Sequence, residues 1–337
     1  MNPPAHTATV PTVPTEPAFE LLPWLRRNRQ ALALPVMFVI AVLIFSVNAP
    51  GFLGSDNLTN VARQSVYLLI VALGQLIVLI CGGLDLSVGT VVSLTSVVSA
   101  TVMAAVYAAT PDSPGLAIAA GLLCGLVIGV IVGGLNGLGT TWLRIPPFMM
   151  TLGMSSVLFG VTLLVSGGVP IYGLPPELGQ VFGFGEIAGI PVPALVAVVL
   201  VVGTYVLLEW TRFGRHLYAT GGNQRAAELS GVRTGRVIVT AFMLSSVMAA
   251  MSGLLLTARL DTGESNIGAS LPLESIAACV IAGVSLSGGQ GRTLAVLLGT
   301  LLIMLVQNGL NLMQVGAYAQ TMAIGAILIF AMALARH

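Results

Sequence analysis

Lysine is absent from this chain of 337 residues: all 13 basic residues are arginine. A P-loop needs a lysine ammonium that reaches the β- and γ-phosphates of a nucleotide, so an ordinary Walker A site is excluded. Charge of either sign is scarce. Only 7% of the residues are charged, where a soluble domain carries about a quarter. Twelve acids and 13 arginines cannot clothe a water-soluble globule of this length. The net charge of +1 leaves no basic excess to hold nucleic acid. Histidine occurs three times, as His6, His216 and His337, none in an apolar run. That removes a buried Ser/His dyad and a histidine metal site, so no catalytic and no metal-binding residues are expected. Cys81, Cys124 and Cys279 each sit in an apolar run and read as small hydrophobes rather than disulfide partners.

What remains is apolar: 56% hydrophobic residues and 40 glycines. A hydrocarbon core about 30 Å thick takes roughly 20 helical residues. Such runs fall near 31–48, 64–82, 86–108, 115–137, 147–166, 191–209, 236–258, 273–288, 293–313 and 317–335. The expected fold is therefore all-α, a polytopic membrane bundle of about ten transmembrane helices. Residues 1–30 are rich in Pro and Thr and then basic, and read as a disordered cytoplasmic tail before a transmembrane domain over 31–337. No signal-peptide cleavage pattern is evident. With ten spans both termini share a side. Placing the N terminus inside puts every arginine except Arg63 and Arg259 at a cytoplasmic end, which selects N-in/C-in. The outside loop 167–190 is too short for a binding domain, and the longest inside loop is 210–235.

Four features stand out within this frame. Gly121, Gly125, Gly129, Gly133 and Gly137 recur every four residues on one helix stripe, a pattern that lets a second backbone approach closely. Such a stripe serves static packing or a sliding contact. In GGLDLSVG (82–89), Asp85 is the one charged residue between Arg63 and Asp112. A carboxylate at membrane depth is paired, cavity-facing or functional. Asp85 and Ser87 suit a helix cap, a solute-hydroxyl acceptor or a cation site. GVSLSGGQGR (283–292) echoes that run before a further apolar helix, a pointer to internal duplication.

The inside loop holds the fourth feature. Gly221, Gly222 and Asn223 form a turn, Gln224 to Ser230 a short helix with Asn223 as N-cap, and Gly231 a C-cap. Within it, Ala226, Ala227 and Leu229 flank Arg225 and Glu228. A small helix without a span of its own suits the docking of a partner; an ordinary solvated connector is the plainer reading. Among the polar residues inside spans, Gln75, Asn136, Gln307, Asn308 and Asn311 are the best candidates to line a path for an uncharged polyol-like solute, because buried amides need partners. The hydroxyls, Thr151 and Ser245 among them, mostly bond back to their own helices.

GGLDLSVG at 82–89, TRFGRHLYATGGNQRAAELSGV at 211–232 and IAACVIAGVSLSGGQGR at 276–292, in this order, resemble the ribose-type sugar permeases of bacterial ABC importers. The likeness runs over roughly residues 35–335, with Leu84 where the family motif usually has Ile. It implies a dimeric pathway in the bacterial inner membrane, supplied by a periplasmic sugar-binding protein and driven by a cytoplasmic ATPase that binds ATP and Mg; this chain itself would carry no cofactor. The second permease subunit could be identical or different. Gly222, Asn223, Ala226, Ala227 and Glu228 would fall in the segment that touches the ATPase. An ion-coupled secondary carrier of a small polar solute, resting on Asp85, is the alternative.

Overall fold

From Ser65 to Ile80 the chain is apolar on every side of a helix, which suits an element surrounded by other elements. In the computed structural model, which describes residues 29–316, 318–320, 322–323 and 325–326, that stretch is buried without a break. It belongs to α2 (Ser55–Ile80) and forms the axis of the bundle. The other helices are α1 (Arg29–Asn48), α3 (Val88–Ala109), α4 (Pro114–Thr141), α5 (Pro147–Ser166), α6 (Val192–Trp210), α7 (Arg212–Gly222), α8 (Gln224–Leu229), α9 (Thr234–Leu260), α10 (Leu271–Ile281) and α11 (Thr293–Leu312). A helical turn, a π turn and a two-residue hairpin, β1 (Glu186–Ile187) with β2 (Ile190–Pro191), connect α5 to α6.

Seven of these helices (α2 to α6, α9 and α11) are long and apolar enough to cross a membrane. Residues Leu34–Asn48 of α1 and the whole of α10 are shorter apolar helices. The chain is thus an all-α, polytopic membrane protein. Pro at the first turn of α4, α5, α6 and α10 starts those helices where a missing N–H costs nothing. Residues 1–28 of the tail read over 1–30 and most of the last apolar run, 317–335, lie outside the described residues, while residues 29 and 30 already belong to α1.

The glycine stripe of α4 lies against α9 and α3. A methyl group added at Gly133 would stand 2.5 Å from the Met243 Cα and from the Phe242 carbonyl oxygen, and one at Gly137 2.6 Å from the Val239 Cα. At Gly129 it would meet the Ser246 carbonyl at 2.9 Å, while Gly125 and Gly121 sit on side chains of Thr95, Leu254 and Met103. The opposite face of α4 exposes Leu123, Val127, Ile131, Leu135 and Leu138, as a lipid-facing surface does.

Two segments differ from the reading of the sequence. The run 273–288 is not one helix: α10 is eleven residues long. Gly283, at φ 79°, ends it, with the Gly283 N–H donating to the Val280 carbonyl and Val284 N–H to that of Cys279, both at 2.9 Å. This is a Schellman closure. Residues 212–222, read as connector, form α7. Its signal is Thr211, whose hydroxyl oxygen caps the Gly214 N–H at 3.1 Å, and the burial of Leu217 and Thr220 on one side.

Candidate functional site

Three loops meet at one end of the bundle. The first is Gly82–Ser87, between α2 and α3. Gly82 N–H donates to the Leu79 carbonyl and Gly83 N–H to that of Val78, both at 2.9 Å, so α2 ends on the same Schellman closure as α10. The chain then turns, and Asp85 is fully buried. Its Oδ1 accepts from the Ser87 backbone N–H (2.9 Å) and hydroxyl (2.6 Å), and its Oδ2 from the Ser245 hydroxyl on α9 (3.3 Å). Asn136 on α4 donates to Ser87 Oγ at 2.8 Å. The Gln75 amide of α2, oriented so that both of its bonds form, donates to the Asp85 carbonyl (3.0 Å) and accepts from the Asp85 N–H (3.3 Å). Thr151 of α5 accepts from the Leu86 N–H at 3.1 Å and donates to the Leu84 carbonyl at 3.0 Å.

Gln75, Asp85, Ser87 and Asn136 therefore share one network, which ties α2, α3, α4, α5 and α9 to a single turn. Among the described residues no cationic side chain pairs with Asp85. Hydroxyl and backbone donors carry the whole of its bonding. Gln307, Asn308 and Asn311 lie elsewhere, on α11. Asn308 makes a reciprocal amide pair with Asn57 of α2, at 2.9 Å in each direction.

The second loop, Gly283–Arg292, repeats the first in outline. After the glycine closure, Ser287 N–H donates to Ser285 Oγ at 3.2 Å, as Ser87 N–H does to Asp85. The third is the end of α7. Gly221 rests on the carbonyl oxygen of Ile80, the last residue of α2, with no room for a side chain between them. The Gly289 N–H donates to that same carbonyl at 2.8 Å. Gly288 and Gly289 hold positive φ angles of 90° and 74°, which glycine adopts without the cost of a Cβ. A methyl group on Gly288 would meet the Gly221 carbonyl at 2.8 Å and the Gly82 nitrogen at 2.9 Å. The Tyr218 hydroxyl of α7 closes the joint by donating to the Gly291 carbonyl at 2.8 Å. All three sequence motifs thus meet backbone to backbone at one glycine joint.

On the outer side of that joint lies α8. Asn223 Oδ1 accepts from the Ala226 N–H at 3.0 Å, an N-cap. Gly231 N–H to the Glu228 carbonyl (2.9 Å) and Val232 N–H to that of Ala227 (3.0 Å) form a third Schellman closure. Ala227 is buried and seats the helix, while Leu229 is 78% exposed. Glu228 accepts from the Thr234 hydroxyl (2.8 Å) and the Gln224 amide (3.2 Å), and lies 3.6 Å from Arg225 Nη1. The Thr234 bond first, then that of Gln224, hold its carboxyl below the usual glutamate range. Arg225 keeps 80% of its side chain exposed. Gly221 and Gly222, read as part of a turn, instead end α7 as its last two helical residues, and Asn223 alone separates α7 from α8. Tyr218, Thr234 and the Ile80 carbonyl were not singled out from sequence, since nothing local to them signals a partner so far along the chain.

A bundle with seven helices long and apolar enough to cross a membrane, tied at one end to a small surface helix, is a polytopic membrane protein in class. The particular family follows from comparison. The chain belongs to the family described as branched-chain amino acid transport system / permease component, whose model matches residues 57–332. It is 41% identical to the ribose import permease protein of Bacillus subtilis (strain 168), over 88% of this chain and 90% of that one. It is 33% identical to the D-allose transport system permease protein of Escherichia coli (strain K12), over 89% and 90% respectively. With the galactose/methyl galactoside import permease protein of the same strain it shares 35% identity, over 89% and 91%. No solved structure matches the chain. It is a permease subunit of the multi-pass inner-membrane kind, and not an enzyme.

Proposed function

We propose that this chain is the permease of an ATP-binding-cassette importer that carries a neutral sugar inward. Its motor is a separate cytoplasmic ATPase holding ATP and Mg, its supplier a periplasmic sugar-binding protein, and its path forms against a second permease subunit within the lipid bilayer. The observation that carries this reading is the glycine joint. A helix with an exposed arginine and leucine, α8, is joined through α7 to the ends of α2 and to the loop before α11, so a push on α8 reaches two spans through backbone contacts alone. The sugar class is supported by relatives that are ribose, allose and galactose permeases by name. About ten spans with both termini in the cytoplasm fit the seven long helices, the two shorter apolar ones, and the arginine bias. Asp85 is read as the clasp of the turn, given its complete burial and its local donors, and this disfavours an ion-coupled carrier.

The test is Arg225→Glu, which reverses the charge shown to a partner while leaving the Glu228 bonds to Thr234 and Gln224 in place. Sugar uptake by the assembled transporter should fall while the amount of folded permease in the membrane stays the same. Uptake equal to that of the unaltered chain would refute docking at α8.

A further inference from the structure

The stretch between α9 and α10 enters the bundle without being helical. Gly263 pairs with Ile171 through two backbone bonds of 2.9 Å and lies against Ala100 and Ser96 of α3. Glu264 N–H donates to Ser96 Oγ at 3.1 Å, and Gly268 N–H to Ser93 Oγ at 3.2 Å. Gly268 rests on the backbone of Gly89, at the first turn of α3, and Pro272 packs on the same glycine. The segment therefore follows α3 from Ala100 to its first turn at Gly89, and α10 begins beside that turn. Bare backbone at membrane depth is tolerated only where protein buries it or where it lines a water-filled cavity.

The inner side of the segment is bonded to α3. Its outer side is not covered by any described residue of this chain: Asn266 and Ser270 are exposed, and Leu273 is 62% exposed. Glu274 stands half-buried on the first turn of α10, its backbone N–H donating to the Ser270 carbonyl at 3.2 Å, and Gln307 lies half-buried on α11, which packs against α10. Asn311, one helical turn beyond Gln307, is exposed. A carboxylate and amides of this kind cannot face hydrocarbon at tolerable cost.

We propose that this face, centred on Glu274 and the broken span, is a sugar-contacting surface of the translocation path. The chemistry fits a neutral polyol. A carboxylate accepts from solute hydroxyls, the Gln307 and Asn311 amides both donate and accept, and Leu273 offers an apolar surface to C–H groups. Carboxylates here, Glu264 in the segment and Glu274 on α10, repel anionic solutes. The proposal deepens the permease reading and rests on it.

The experiment is thiol labelling of the assembled transporter in membranes, with Cys124→Ala as background because Cys81 and Cys279 are buried. Ser270→Cys and Leu273→Cys are compared with Leu164→Cys, which is 85% exposed on the lipid-facing side of α5. A charged, membrane-impermeant thiosulfonate should label the first two roughly ten-fold faster or more, since only a thiol in contact with water forms the reactive thiolate. Ribose, allose or galactose, supplied with the binding protein and ATP, should slow that labelling. Glu274→Leu should lower uptake more than Glu274→Gln does, at equal amounts of folded permease. Labelling as slow as at Leu164→Cys overturns the proposal. So does labelling that none of the three sugars alters, together with unchanged uptake in Glu274→Leu. Labelling without sugar needs no motor, so Arg225→Glu leaves it unaffected and the two readings fail separately.

Discussion

Asp85 makes its bonds with donors that a same-sized amide can largely satisfy, and this decides what its replacement should do. Asp85→Asn keeps an oxygen for the Ser87 N–H and hydroxyl and offers an N–H to Ser245 Oγ, so folded yield and uptake should stay near those of the unaltered chain. Asp85→Ala leaves the Ser87 and Ser245 groups buried and unpaired, a loss of about 1–3 kcal/mol, to be read as a lower midpoint of thermal unfolding in detergent. Equal midpoints for the two variants would remove the clasp. A second residue-scale outcome belongs to Gly221. Even a methyl group there would collide with the Ile80 carbonyl, so Gly221→Ala should abolish coupled uptake, measured beside Gly222→Ala, where the neighbouring space is open. At this scale the sequence was legible only in part. Asp85 and Ser87 are conspicuous because charge is rare around them. That Gln75, Asn136, Thr151 and Ser245 converge on the same turn could not be read, since each sits on a different helix and back-bonding hydroxyls look alike in sequence. The position of Glu274 depends on a non-helical descent that hydropathy does not encode.

Periodicity and caps specify elements far better than they specify contacts. The runs at 147–166 and 293–313 coincide with α5 and α11 to within a residue, because length and apolarity determine them, whereas α2 begins at Ser55, well before its run at 64, because its first turns are polar. What failed were the elements broken or laid flat. The hydropathy run at 273–288 joins α10 to the loop after it, and α7 is too polar and too short to read as a span. The stripe of α4 gives the prediction at this scale. Gly133→Leu would force a side chain into the backbone of Met243, and overpacking of this kind costs about 1–3 kcal/mol. A lower unfolding temperature and a smaller folded yield should follow, larger than for Gly134→Leu, whose neighbouring space is open. Equal effects at 133 and 134 would mean that the stripe is not tightly packed.

For the whole molecule, the decisive traits are the scarcity of charge and, on the proposed reading, an energy source outside the chain. Collapsing the proton gradient of reconstituted vesicles at constant ATP should leave sugar uptake unchanged, as monitored by labelled sugar retained inside. Uptake that follows the gradient would restore the ion-coupled alternative. Fold class and membrane location could be read from composition, because so few charges leave no other solution. The mutual approach of the three motifs could not, because glycines in contact leave no complementary side chains to match up. That same joint has a consequence for descent. A contact made of peptide groups and hydrogen atoms carries no lock-and-key detail. On the proposed coupling, drift in the solute-facing side chains therefore need not be matched by compensating change at the joint, and paralogues with new cargo could diverge above it and keep the same joint.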